Sequence, residues 1–326
     1  MCRQTLYLGS PRGYANISEL LLIDLLDRKA SPMQDDFLRI QSRLTDRDHV
    51  LLGWLADHGV LTSFQIAHAL YPSLDFAQRR LRKLCAEDVD LLARFRPFRA
   101  EGGTWPYHYV LGQRGTEVVA VARGTELPRK DQARKRRWHL TNRANLPHLL
   151  GVNQFFTDLA GYARTHPHAS LDRWWPASRF TTFAGFIEEG DSPTLMAAVP
   201  KVRPDGHGIF TEHGRSVPFF LEHDTGTEPL TTLIGKIDGY LDLAYHLGRD
   251  RPVLFWLPTA LRERHLHQRL TEAGIRYPIA TAARDTAAQR ALSPADNLWQ
   301  VYQVPGARLR LTDLANLTGT ADPTSD

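Results

Sequence analysis

The sequence predicts an α/β chain (α+β overall) built as two domains, and three observations carry that prediction. Cap residues and helical apolar spacing recur between residues 44 and 86. Strand-like segments flanking a glycine turn follow at 91–111. From 145 onward, amphipathic stretches alternate with apolar runs such as PVLFWL.

Composition narrows the class. The chain has 326 residues, 42% hydrophobic and 23% charged, which excludes wholesale disorder. No apolar run approaches the roughly 20 residues that span a bilayer; the best candidate, residues 20–26, is broken by Asp24. The start of the chain lacks the apolar core of a signal peptide. Cys2 and Cys85 cannot build a disulfide framework or a cysteine zinc site. The expectation is a soluble, cytoplasmic protein with no membrane association.

Charge is uneven. Residues 76–143 hold 16 Lys/Arg against 7 Asp/Glu, leaving 24 against 29 for the remainder. Such asymmetry marks a basic segment that meets a polyanion, although solvated helix faces produce charge runs too.

Residues 1–43 are weakly patterned and form an extension. Thr45 with Asp48 starts a first helix carrying Val50, Leu51, Trp54 and Leu55, and Gly59 stops it. Thr62 caps a second helix with Ile66, Ala67 and Leu70. After Pro72 and Ser73, a third runs over about 75–86, with Leu81 and Leu84 inward and Arg79, Arg80, Arg82 and Lys83 around its other faces. Residues 91–98, a turn at 101–103 and residues 107–111 read as a β-hairpin bearing Arg94, Arg96 and Arg99.

Three helices and a hairpin are the arrangement of a winged helix-turn-helix, assigned to residues 44–125. Its third helix suits the major groove and its hairpin the DNA backbone. A winged helix used for protein contact is the competing reading. Residues 126–144 read as a basic linker, in which Arg134, Lys135, Arg136 and Arg137 could track phosphates or merely solubilise.

Residues 145–283 form the second domain. The helix at 145–165 carries Leu149, Val152, Phe156, Leu159 and Ala163 as one stripe, with Asn153 beside it as a candidate buried polar group. Residues 171–175 and 178–184 read as strands. Residues 199–204 lead into Asp205-Gly206 and then Ile209-Phe210, so Asp205 lies at a turn or bulge in strand-like sequence, and residues 216–223 form a buried strand ending in Glu222. A long helix capped by Thr227 runs to about 247. A central strand at 252–257, a helix at 259–273 and a strand at 277–280 complete the domain. Residues 284–326 add a short helix, a strand near 299–304 and a frayed polar end.

The order αβββαβ, with Asp205 in VRPDG and Glu222 in FFLEHD, resembles the PD-(D/E)xK nucleases. The resemblance implies that Asp205, Glu222 and Asp224 are catalytic carboxylates holding Mg2+ or Mn2+, ions that favour oxygen ligands. Asp224 stands where that family's motif has Lys. Lys236, four residues before Tyr240 and on the same helix face, is its expected substitute, so Lys236 and Tyr240 complete the catalytic set. Each residue also has a plainer reading: Asp205 as a turn residue, Lys236 as a solvated side chain. His207, His213 and His223 lack a regular zinc spacing. His265 and His267 read as surface residues of an amphipathic helix rather than a relaxase metal site.

The third helix (AQRRLRKL), residues 109–115 and LEHDTGTEPLTTLIGKIDGY at 221–240 together resemble the replication-relaxation family of actinobacterial plasmids and integrative elements. That resemblance implies a double-stranded DNA partner, replication or conjugation proteins as further partners, and a homodimer. The function expected is metal-dependent DNA nicking or cleaving in plasmid replication, relaxation or transfer. The alternative is a catalytically inactive replication or transcription regulator.

Overall fold

The computed structural model describes residues 39–97, 104–129, 131–188, 191 and 200–317. Most of the expected N-terminal extension, Arg99, the turn at 101–103 and the C-terminal end lie outside them. The chain forms two compact units that divide between Thr157 and Asp158. It is a mixed α/β molecule whose helices accompany one small antiparallel sheet and one larger mixed sheet. Among the described residues, no helix is long and apolar enough to cross a membrane.

In the first unit, helix α1 (Asp46–His58) starts with a capping box: Thr45 accepts from the Asp48 amide while Asp48 accepts from the Thr45 amide. It stops at Gly59, whose φ of 78° a side chain would strain. Strand β1 (Leu61–Thr62) leads into α2 (Ser63–Leu70), boxed in the same way by Thr62 and Gln65. Ser73 caps α3 (Leu74–Leu84), which buries Ala77, Leu81 and Leu84.

Strands β2 (Leu92–Phe95) and β3 (His108–Leu111) pair antiparallel, and β3 also pairs with β1 to give the order β1-β3-β2. β3 sits centrally and is buried along its whole length, whereas edge strand β2 exposes Arg94. Helix α4 (Gln113–Ala122) follows. The basic stretch expected as a linker contains a further helix, α5 (Gln132–Thr141). Helix α6 (Leu146–Thr165) begins in this unit. Buried Asn153 there donates 2.7 Å to the Val60 carbonyl and 3.3 Å to that of His58, holding the two carbonyls that follow α1.

The second unit is built on a six-stranded sheet, order β4-β5-β6-β7-β8-β9. Its strands are β4 (Ala169–Pro176), β5 (Gly206–Glu212), β6 (Arg215–His223), β7 (Val253–Leu257), β8 (Ile279–Ala283) and β9 (Gln300–Val301). The first three run antiparallel; β6-β7 and β7-β8 are parallel, and β9 returns antiparallel. β5 and β6 are joined by His213-Gly214, both at positive φ, as a two-residue hairpin requires. β7 and β8 are buried at every residue, the pattern of parallel strands covered on both faces.

Between strands lie α7 (Leu230–Gly235), α8 (Ile237–Leu247), α9 (Ala260–Glu272) and α10 (Arg284–Gln289). Their apolar faces meet the sheet in a core that includes Phe220, Ile237, Tyr240, Phe255 and Leu266.

Three elements differ from the sequence expectation. Residues 178–184 are not a strand: Ala177–Thr181 is a 3-10 helix in which the Ser178 carbonyl accepts from the hydroxyls of Thr181 and Thr182. Local side-chain bonds of this kind compete with a ladder. The single helix expected from Thr227 is two, because Pro229 sets the start of α7 and Lys236 sits at the joint between α7 and α8. The Thr227 hydroxyl meets that of Thr225 instead of capping. The strand expected at 299–304 shrinks to β9, and a 3-10 helix spans Leu311–Leu317.

Candidate functional site

The site grows out of the β5-β6 register. Gly206 faces Leu221, so the preceding Asp205 comes opposite Glu222 at the ends of two adjacent antiparallel strands. The Asp205 amide donates to the Leu221 carbonyl at 3.0 Å, and its Oδ2 accepts from the His223 amide at 2.8 Å. The carboxylate is thereby fixed against the backbone of the neighbouring strand.

Glu222 is 1% exposed. Its Oε2 accepts from Lys236 Nζ at 2.7 Å and its Oε1 from the Tyr240 hydroxyl at 2.5 Å. Lys236 and Tyr240 are one helical turn apart, which aims both at one carboxylate. Tyr240 is fully buried, its ring 5.3 Å from that of Phe220. Helix α8 can lie this close because Gly239 has no side chain: a Cβ there would sit 2.8 Å from Cβ of Val202.

Burial drives the electrostatics. Desolvation, reinforced by the charge of Asp205, pushes the Glu222 carboxyl up to about 7, against the opposing pull of Lys236 and Tyr240. For Lys236, burial alone would lower the pKa, but the adjacent Glu222 charge and its hydrogen bond raise it, so the ammonium stays charged. Burial and the Glu222 charge raise Tyr240 well above the usual phenol range, so its proton stays on the hydroxyl as a donor. An open cleft of about 870 Å³ lies beside the group, lined among others by Lys201, Arg203, Thr232, Gly235 and Lys236.

Asp224 is not brought into this group. Lying just past β6, its carboxylate is taken by Arg262 of α9, through Nε and through Nη2 at 3.1 Å, and it also accepts from the Gly226 amide at 2.9 Å. The nuclease resemblance implied a ligand role for it, yet β6 ends at His223, so strand alternation does not carry Asp224 back to the side of Glu222. Among the described residues no cluster of three or more His, Cys, Asp or Glu side chains is placed to hold a metal ion.

The basic residues of the first unit separate into distinct settings. Arg80 turns inward and binds Asp48, a fully buried carboxylate, at 3.0 and 2.5 Å. Arg79 pairs with Asp75 on the surface. Arg82 and Lys83 are exposed on α3. Arg94 and Arg96 stack on the Tyr107 ring, 4.2 and 3.7 Å from its centre. On α5, Arg134 pairs with Asp131 and Arg136 donates to the Ala56 carbonyl, while Arg137 faces α3 and β2.

Sequence reasoning missed a second buried charge cluster. Arg251, 4% exposed, donates to Glu188 at 2.5 Å and to His207 Nε2 at 2.9 Å, and Glu188 also holds Arg173. His207 Nδ1 donates to the Phe219 carbonyl at 2.7 Å, and burial lowers its pKa to about 4. A charge directly before the apolar run PVLFWL was the available signal. The cluster braces β4, β5 and the start of β7.

Fold and site together define a mixed α/β protein whose larger sheet carries a buried carboxylate clasped by a lysine and a tyrosine. Residues 52–253, more than half of the chain, match the replication-relaxation family, and the chain belongs to that family. Membership ties it to replication or relaxation of plasmid or mobile-element DNA. No curated protein and no solved structure matches it.

Proposed function

We propose that this protein is a metal-dependent DNA-nicking or DNA-cleaving protein of a mobile element, acting in plasmid replication, relaxation or transfer. The first unit is read as a winged helix that binds double-stranded DNA, the second as a PD-(D/E)xK-like domain. One observation carries the reading: Asp205 and Glu222 face each other across β5 and β6, with Lys236 bonded to Glu222. The order α6, β4, β5, β6, the helix pair α7-α8, then β7, and the change from antiparallel to parallel pairing at β6 support it.

The donor set fits Mg2+ or Mn2+, which commonly bind through one or two carboxylates and complete their shell with water. Asp205 and Glu222 would hold the ion, and a cation there would offset the burial and the Asp205 charge that together raise Glu222. Such an ion, when bound, polarises the scissile phosphate and acidifies a water. Tyr240 keeps its proton on Oη and orients Glu222. An ammonium has three donors, and the bond from Lys236 to Glu222 uses one, so Lys236 can also meet a phosphate oxygen entering the cleft.

A second reading, an inactive replication or transcription regulator, is favoured by one observation. Asp224 is committed to Arg262, and both Glu222 oxygens already have donors.

The test incubates purified protein with supercoiled plasmid in Mg2+, Mn2+ or EDTA, beside Asp205→Ala and Glu222→Ala. Metal-dependent nicking lost in both variants is expected. Intact plasmid throughout, with equal gel shifts, would leave the regulator reading standing.

A further inference from the structure

Three arginines from separate elements converge on one groove of the first unit. Arg82 of α3, Arg94 of β2 and Arg137 of α5 line a cavity of about 630 Å³ whose other walls include Cys85, Glu87 and Asp90. α3 and β2 follow one another in the chain, but α5 does not: Arg82 and Arg137 lie 55 positions apart in sequence.

The groove is organised for an anion. Arg94 is held over the Tyr107 ring, 4.2 Å from its centre, which limits the side-chain freedom lost on binding. Arg82 Nε is anchored on the Gln78 carbonyl at 3.4 Å. The Asp90 carboxylate is turned to the start of α4, accepting from the Gln113 amide at 3.3 Å, which partly offsets its charge. Cys85 is neutral, because burial pushes its thiol up to about 11. Glu87 is solvent-exposed, so water screens its charge.

Helix geometry explains why Arg137 is the α5 residue that participates. Successive residues turn by about 100°. Lys135 and Arg136 therefore line a different cavity, between α1, α4 and α5. Arg134, three residues before Arg137 and so near its face, is instead paired with Asp131 at 3.6 Å.

We propose that Arg82, Arg94 and Arg137 form a single pocket for one backbone phosphate of duplex DNA, and that α5 is a third wall of the DNA-binding surface. This rests on the DNA-binding reading above. It adds that the basic stretch after the hairpin contributes one positioned contact, at Arg137, rather than diffuse charge.

The experiment measures binding of the full chain to a labelled duplex by fluorescence anisotropy over a salt series. Arg82→Gln, Arg94→Gln and Arg137→Gln are compared singly and as the triple variant, with Arg134→Gln as control and circular dichroism melting to verify folding. Each single groove variant is expected to weaken binding about tenfold, while Arg134→Gln stays near wild type. The triple variant should lower the slope of log K against log salt by about one, the value for a single phosphate. An Arg137→Gln variant that binds like wild type overturns the proposal, as does a triple variant whose slope falls by two or more. A wild type that binds no duplex at any salt instead refutes the DNA-binding reading itself.

Discussion

Arg79 and Arg80 are neighbours of one charge on one helix, and the structure predicts opposite consequences for losing them. Arg80→Ala removes two hydrogen bonds to Asp48 and a third, at 3.0 Å, to the Arg43 carbonyl. Asp48 is 0% exposed, and afterwards only its bonds to Thr45, at 2.8 and 2.7 Å, remain. Breaking a buried pair from one side costs about 3–5 kcal/mol. The Arg80 side chain is 25% exposed, so water can partly replace it and about 2–3 kcal/mol is the better figure. The Arg79–Asp75 pair is 60% and 72% exposed, and Arg79→Ala should cost no more than about 0.5 kcal/mol.

Urea unfolding read by circular dichroism, with hydrogen exchange of the 46–58 amides, measures both. The effect should also depend on pH. Burial raises Asp48, but hydrogen bonds from Arg80 and Thr45 outweigh it and hold its carboxyl below the usual 3.8. Its contribution is therefore present above 3.8 and is lost as pH falls through the depressed value. The difference between Arg80→Ala and wild type should shrink only in that acid range. Equal, small losses for Arg79→Ala and Arg80→Ala at neutral pH would refute the reasoning.

Two other predictions concern the second unit and one the first. Glu222 titrates near 7 instead of 4.5, so the folded state holds a proton that the unfolded state releases. Relative to Glu222→Gln, wild-type stability should fall by roughly 3 kcal/mol as pH rises from 4.5 through 7. The comparison is with the variant because buried His207, lowered to about 4, gives both proteins the opposite slope over that window; parallel stability profiles would contradict the assignment. Gly239→Ala places a Cβ 2.8 Å from Val202 and should cost about 1–3 kcal/mol in urea unfolding. Asn153→Ala leaves the Val60 and His58 carbonyls without their side-chain donor, and a loss of about 1–3 kcal/mol with faster exchange at the end of α1 is expected.

Local chemistry was legible in the chain. Thr45 with Asp48 and the cap at Thr62 specify where helices begin, because a cap bonds amides only three residues away. Lys236 and Tyr240 share a face because the helix repeat makes them do so. The 17-residue separation of Asp205 and Glu222 matched a hairpin, since two strands and a short turn fill it. The helix split at Lys236 was hidden, because Lys236 keeps near-helical dihedrals and no Gly-Pro or Asn-Gly break marks it in the sequence.

Partner choice was settled only by tertiary structure. Sequence gave Arg79, Arg80 and Arg82 the same description, yet one holds a buried carboxylate, one pairs on the surface and one opens onto a groove. The nuclease resemblance grouped Asp224 with Glu222, but its partner, Arg262, lies 38 residues downstream on α9. Cap and helix-face bonds act within a turn or two of chain, so the order of residues determines them. Which charge a buried carboxylate meets depends on how separate elements pack and register, and burial then fixes how strongly the two groups shift one another.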